Sequence, residues 1–147
     1  LHCYLNIPDT SGRDSLFQAE ARRCKDIINS VKDNKARHFC IFDELYSGTN
    51  PYEATASAYG FLKYLTKHKH SHFMLTTHLI DLCKKLDDHK KIQNMSMKVK
   101  EKEDDFIYTY IFEKGISTIK GGVKVLIDLD YPKEIVDTTK HFLKNEM

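Results

Sequence analysis

Phe39-Cys40-Ile41-Phe42 is an unbroken apolar run that stops at two adjacent carboxylates, Asp43 and Glu44. A strand sends alternate side chains to opposite faces, so four apolar residues in succession predict a strand buried on both. Parallel sheets joined by helices meet that condition. The flanking sequence supplies the helices. From Asp14 to about Val31 the residues Leu16, Phe17, Ala19, Cys24, Ile27, Ile28 and Val31 fall mostly at helical spacing. Pro51 opens a second helix, which Ala54, Ala58, Phe61, Leu62 and Leu65 carry to about His68. His72 to Thr77 is a further short apolar strand, and Leu79 to Leu86 a further helix. Leu1 to Ile7 reads as a strand that ends at the turn-rich Pro8-Asp9-Thr10-Ser11-Gly12. Strands and helices in alternation, with short connections, predict an α/β fold around a parallel sheet.

After Leu86 the period changes. Ile92 to Lys100 and Phe106 to Glu113 alternate on either side of Glu101-Lys102-Glu103-Asp104-Asp105, which predicts an antiparallel hairpin. Two short helices, near Ile119 to Leu129 and Pro132 to Asn145, close the chain. Its 147 residues suit a single domain. No apolar stretch approaches the ~20 residues of a membrane helix. The four cysteines are far apart and form no C-x-x-C, so an intracellular, reducing compartment is expected. Net charge is +2, from 23 Lys and Arg against 21 Asp and Glu, too even a balance to argue nucleic-acid binding from electrostatics. His68-Lys69-His70-Ser71-His72 reads as a solvated loop rather than a metal site.

Ligands of parallel α/β sheets sit at the carboxyl ends of the strands, where Asp43 and Glu44 emerge. Magnesium-dependent phosphoryl transfer needs a hard oxygen ligand and a group that positions water, and successive acids on one strand can divide those tasks. Asp43 is then the magnesium ligand and Glu44 the water-orienting group. The same pair also suits an ordinary strand end. The next strand, Met74-Leu75-Thr76-Thr77-His78, brings a histidine to that edge, where an imidazole can bond a γ-phosphate oxygen or the attacking water. Ser11-Gly12-Arg13-Asp14-Ser15 is a glycine turn opening a helix, whose amide groups attract phosphate. Ordinary capping by Asp14 or Ser15 fits that stretch too.

Three segments, SGRDSLFQAEARR, FCIFDELYSGTNPYEATASA and FMLTTH, resemble in order and spacing the ATPase domain of the MutS family of DNA mismatch-recognition proteins. Ser15, Phe17, Glu20, Asp43, Glu44, Gly48, Thr49 and His78 occupy the places of that family's signature. The wording E-L-Y-S-G-T-N-P is more similar to a divergent branch found in large DNA viruses. Residues 115 to 143, with Gly121-Gly122-Val123 and Tyr131-Pro132-Lys133-Glu134-Ile135-Val136, resemble the family's terminal helix-turn-helix. Departures from the pattern are present. Gly12 stands three residues before Ser15 where two are usual, and Leu16 replaces a threonine. None of the six glycines is followed by lysine, so the phosphate loop G-x-x-x-x-G-K-[ST] is missing.

The resemblance implies part of a P-loop NTPase sheet of the ABC type flanked by helices, with an antiparallel hairpin and a C-terminal helix-turn-helix. It divides the chain into an ATPase portion over residues 1–114 and a helical dimerisation tail over 115–147. It further implies ATP and Mg²⁺ as cofactors, with Asp43 on the metal, Glu44 activating water and His78 sensing the γ-phosphate. Ser15 would reach the ATP of a second MutS-like subunit in a homodimer, and mismatched DNA would be held by upstream domains. Two other readings are a noncatalytic dimerisation remnant, which the missing loop favours, and another ABC-type ATPase with paired heads, whose usual L-S-G-G-Q is absent.

Overall fold

A computed structural model describes residues 1–5, 16–33, 36–102, 105–119 and 121–145. Their elements run β1 (His2–Tyr4), α1 (Leu16–Lys32), β2 (His38–Asp43), α2 (Pro51–Leu65), β3 (Ser71–Thr76), α3 (Ile80–Leu86), β4 (Met95–Lys102), β5 (Asp105–Lys114), α4 (Gly122–Asp128) and α5 (Lys133–Asn145). Among the described residues the fold is mixed α/β, with a parallel three-stranded sheet and an antiparallel two-stranded one. Two compact units, Leu1–Asn94 and Met95–Met147, divide the chain. No helix among the described residues is long and apolar enough to cross a membrane.

The first unit is built on the sheet β1-β2-β3, parallel throughout and in chain order. Helix α1 forms because Cys24, Ile27 and Val31 repeat at helical spacing, and those residues are buried together with Glu20. Helix α2 starts where Asn50 Oδ1 accepts from the Glu53 amide at 3.0 Å, while Asn50 Nδ2 donates to Glu53 Oε2 at 2.8 Å. Pro51 stands in the first turn, where its missing N–H costs nothing. Both helices contribute to one core cluster with Tyr4, Cys40, Phe42, Leu82 and Leu86. Phe42 anchors it, meeting the Phe61 ring edge-on at 5.5 Å between centroids.

The expectation that the apolar run is buried on both faces is corrected. Cys40 and Phe42 are 0% and 1% exposed, but Phe39 and Ile41 are 40% and 36% exposed and Met74 is 61% exposed. The reason is topological. Parallel crossovers are right-handed, so a sheet wound steadily in one direction receives α1 and α2 on the same face. Among the described residues of the first unit, the register row Cys3, Ile41, Met74 therefore lies on the face away from α1 and α2.

The second unit begins with the β4–β5 hairpin. Its register shifts between Met97 and Val99, and Tyr110 on the opposite strand takes a left-handed φ of 57°. Thr109 Oγ1 donates to the Lys98 carbonyl at 2.7 Å beside that irregularity. Gly115, at φ 126°, ends β5 in a conformation that L side chains rarely adopt. Helices α4 and α5 follow, joined by a turn in which Asp130 has a φ of 54°. Helix α4 is shorter than expected, and α5 turns Val136 inward while Ile135 and Phe142 stay exposed.

Candidate functional site

Asp43 ends β2 and Thr76 ends β3, and the two are register partners. Thr76 Oγ1 donates to Asp43 Oδ1 at 2.6 Å, which fixes the carboxylate at the edge of the sheet. One step further, the Glu44 amide donates to the Thr76 carbonyl at 3.0 Å, so the ladder survives the end of the strand. Glu44 then turns the chain with a left-handed φ of 53°, and Tyr46 repeats the turn at 59°. Such dihedrals cost ~1–2 kcal/mol per non-glycine residue and persist where packing enforces them. Packing does so here: Leu45 and Tyr46 are buried, and Tyr46 meets Phe17 and Phe61 at 5.7 and 6.5 Å between ring centroids.

With Leu45 and Tyr46 drawn into the core, Glu44 is left at the edge. His78 Nδ1 lies 2.9 Å from Glu44 Oε1, and both side chains are open to solvent. Thr77 Oγ1 accepts from the Leu79 amide at 3.1 Å, shaping the turn that carries His78 out of β3. Asp43, Glu44 and His78 thus stand at one sheet edge, on two adjacent strand ends. Ser15 lies outside the described residues.

A metal fits this edge in one way. Among the described residues no three His, Cys, Asp or Glu are grouped to hold an ion. Magnesium does not need such a cage, since it is commonly bound by one or two carboxylates together with substrate phosphates and water. Asp43, exposed and with one oxygen fixed by Thr76, offers the hard oxygen that such a site needs.

The contacts of three residues escaped the sequence, although Glu20 and Gly48 stood in the signature. Thr76 could have been found from the polar T-T that precedes His78. Glu20 sits on the same helical stripe as Cys24, Ile27 and Val31, and a carboxylate on an apolar stripe signals a buried polar contact. It is 4% exposed, and its Oε1 accepts from the Ser47 amide at 2.9 Å and the Ser47 hydroxyl at 2.8 Å, while Oε2 accepts from the Gly48 amide at 3.0 Å. Gly48 lies so close to α1 that an added Cβ would stand 2.5 Å from the Phe17 amide nitrogen. No local pattern announces that approach. Burial raises the phenols of Tyr4 and Tyr46 above their ordinary range, and for Tyr4 the nearby Glu20 carboxylate adds to the effect, so both stay neutral.

Residues 7–146 match the family model of MutS domain V. Curated relatives include proteins named DNA mismatch repair protein MutS. That of Acholeplasma laidlawii is 27% identical over 136 residues, covering 92% of this chain and 16% of the relative. That of Bacteroides fragilis is 29% identical over 133 residues, covering 89% and 15%. That of Prochlorococcus marinus strain MIT 9301 is 24% identical over 139 residues, covering 95% and 15%. The chain spans about one sixth of the length of these relatives.

Proposed function

Because the chain belongs to the MutS family through its domain V, we propose that it is the C-terminal portion of a MutS-like ATPase that couples ATP binding and hydrolysis to recognition of mismatched DNA. The observation that carries this reading is the meeting of Asp43, Glu44 and His78 at one sheet edge, with Glu44 and His78 in hydrogen-bond contact.

Asp43 would hold magnesium, which would supply positive charge to offset that of the phosphates. Thr76 keeps the carboxylate in place. Glu44 orients the attacking water as an acceptor and takes its proton. The hydrogen bond between His78 Nδ1 and Glu44 Oε1 orients the ring, leaving Nε2 to meet a γ-phosphate oxygen. Ser15 reaches the nucleotide of a second subunit. The helical tail over residues 115–147 supports pairing of subunits, since Val125, Leu129 and Phe142 expose apolar surface on α4, its C-cap and α5. Contacts to DNA belong to other parts of the polypeptide.

A second reading is a noncatalytic dimerisation module; residues 1–147 themselves contain no G-x-x-x-x-G-K-[ST] phosphate loop. Loss of three charge-assisted hydrogen bonds at ~1.5–3 kcal/mol each removes roughly 5 kcal/mol or more, over ~3 decades of affinity. Residues 1–147 alone should therefore bind Mg-ATP weakly in calorimetry, while the full-length protein carrying them binds and hydrolyses it. A full-length protein that neither binds nor hydrolyses ATP would leave the dimerisation module as the function.

A further inference from the structure

The loop that follows the acidic pair is held from below by a single buried side chain. Glu20, on the second turn of α1, uses both carboxylate oxygens to accept from the Ser47 amide, the Ser47 hydroxyl and the Gly48 amide, all within 3.0 Å. A carboxylate this buried, at 4% exposed, is retained only where such bonds replace water. The same three bonds seat Gly48 against the backbone of Leu16 and Phe17, with no room for a Cβ between them. Glu44 stands only three residues before Ser47, in a left-handed conformation that Leu45 and Tyr46 hold by packing. One end of this strained turn is pinned by β3, through the Glu44 amide and the Thr76 carbonyl. The other end is pinned by Glu20.

We infer that Glu20 is a positioning residue for Glu44. Its carboxylate makes the first turn of α1 and the acidic edge one rigid body, and so fixes where the Glu44 carboxylate presents to water. The inference rests on the ATPase reading above and adds to it a residue that touches neither nucleotide nor metal. Geometry sets the expected effect, since a displacement of ~1 Å at a reacting group costs ~10²-fold in rate.

Glu20→Gln is the decisive variant because it preserves size and removes an acceptor. One of its two terminal atoms becomes an N–H₂ donor, which must face either the Ser47 donors or the Gly48 amide. Ser47→Ala removes one of the three bonds and leaves the two backbone ones, so it serves where Glu20→Gln fails to fold. Two quantities are measured in the full-length protein: amide exchange of a peptide spanning residues 44–49, and kcat and KM for Mg-ATP. Glu20→Gln should speed exchange at Ser47 and Gly48 by ~10-fold or more. It should lower kcat by ~10²-fold while KM stays within ~3-fold, with Ser47→Ala between it and the parent. Unchanged exchange overturns the clamp. Faster exchange with unchanged kcat makes Glu20 a purely structural residue and overturns its positioning role. If the parent protein hydrolyses no ATP, the ATPase reading falls and the exchange measurement alone decides whether Glu20 holds the loop.

Discussion

His78 Nδ1 lies 2.9 Å from Glu44 Oε1 although 34 residues separate them in the chain. Parallel pairing of β2 with β3 is what brings them together, since Asp43 and Thr76 are register partners and each strand ends one or two residues before the side chain concerned. An acid and a base in contact at an exposed sheet edge can divide the work of holding water and contacting an anion.

Glu44→Gln keeps the size of the side chain and removes the proton acceptor. In the full-length protein this variant should retain ATP and lose ~10²-fold or more in hydrolysis, the usual scale for a general base. Single-turnover hydrolysis alongside nucleotide-binding titration checks both halves. Unchanged turnover would assign the water to another residue.

Gly48→Ala should destabilise the first unit. The new Cβ would meet the Phe17 amide nitrogen at 2.5 Å, the Leu16 Cγ at 2.8 Å and the Leu16 carbonyl carbon at 2.9 Å. Two of these are backbone atoms in the first turn of α1, which cannot move without disturbing the helix. A loss of ~1–3 kcal/mol is expected, as for other overpacked sites, and denaturant unfolding measures it.

Thiol reactivity should follow burial. Cys3 is exposed, whereas burial pushes the Cys24 thiol up to about 11 and raises those of Cys40 and Cys83. Thiolate is the reactive form, so alkylation of the native chain should mark Cys3 first and Cys83 more slowly. Cys24 and Cys40 should react only on unfolding. Mass spectrometry of the modified peptides gives the order, and early labelling of Cys24 would contradict the packing of α1.

Acid should weaken the pairing of β1 with β2. His2 is held below its ordinary value of 6.5, first by burial and then by the positive charge of His38. A depressed histidine means that the unfolded chain binds the proton more readily than the folded one. Stability is therefore unaffected by this group well above 6.5 and declines as pH falls from there through the lower folded value. The two rings stack with centroids 5.2 Å apart, Nε2 of His2 lying 3.0 Å from Nδ1 of His38. Replacing His38 by glutamine should reduce the slope of unfolding free energy against pH below 6.5. An unchanged slope would assign the dependence to other groups.

Periodicity in the sequence determined which segments become helix and which become strand. The stripe of Cys24, Ile27 and Val31, the Asn50-Pro51-Glu53 helix start and the apolar run ending at Asp43 are all local patterns, and the structure forms its elements there. The placing of Asp43, Glu44 and His78 at one edge was legible too, because parallel strands joined by helices deliver their carboxyl ends to the same side. What the tertiary structure decided is of another kind. Which face of β2 is covered depends on the direction in which successive crossovers wind, and a run of four apolar residues carries no record of it. The left-handed turns at Glu44 and Tyr46 arise because Leu45 and Tyr46 enter a core assembled from α1 and α2, distant in sequence. The partners of Glu20, 27 and 28 residues away, exist only once that turn has formed. Spacing encodes an element through its own residues, whereas loop dihedrals and buried polar contacts are set by whatever packs against them.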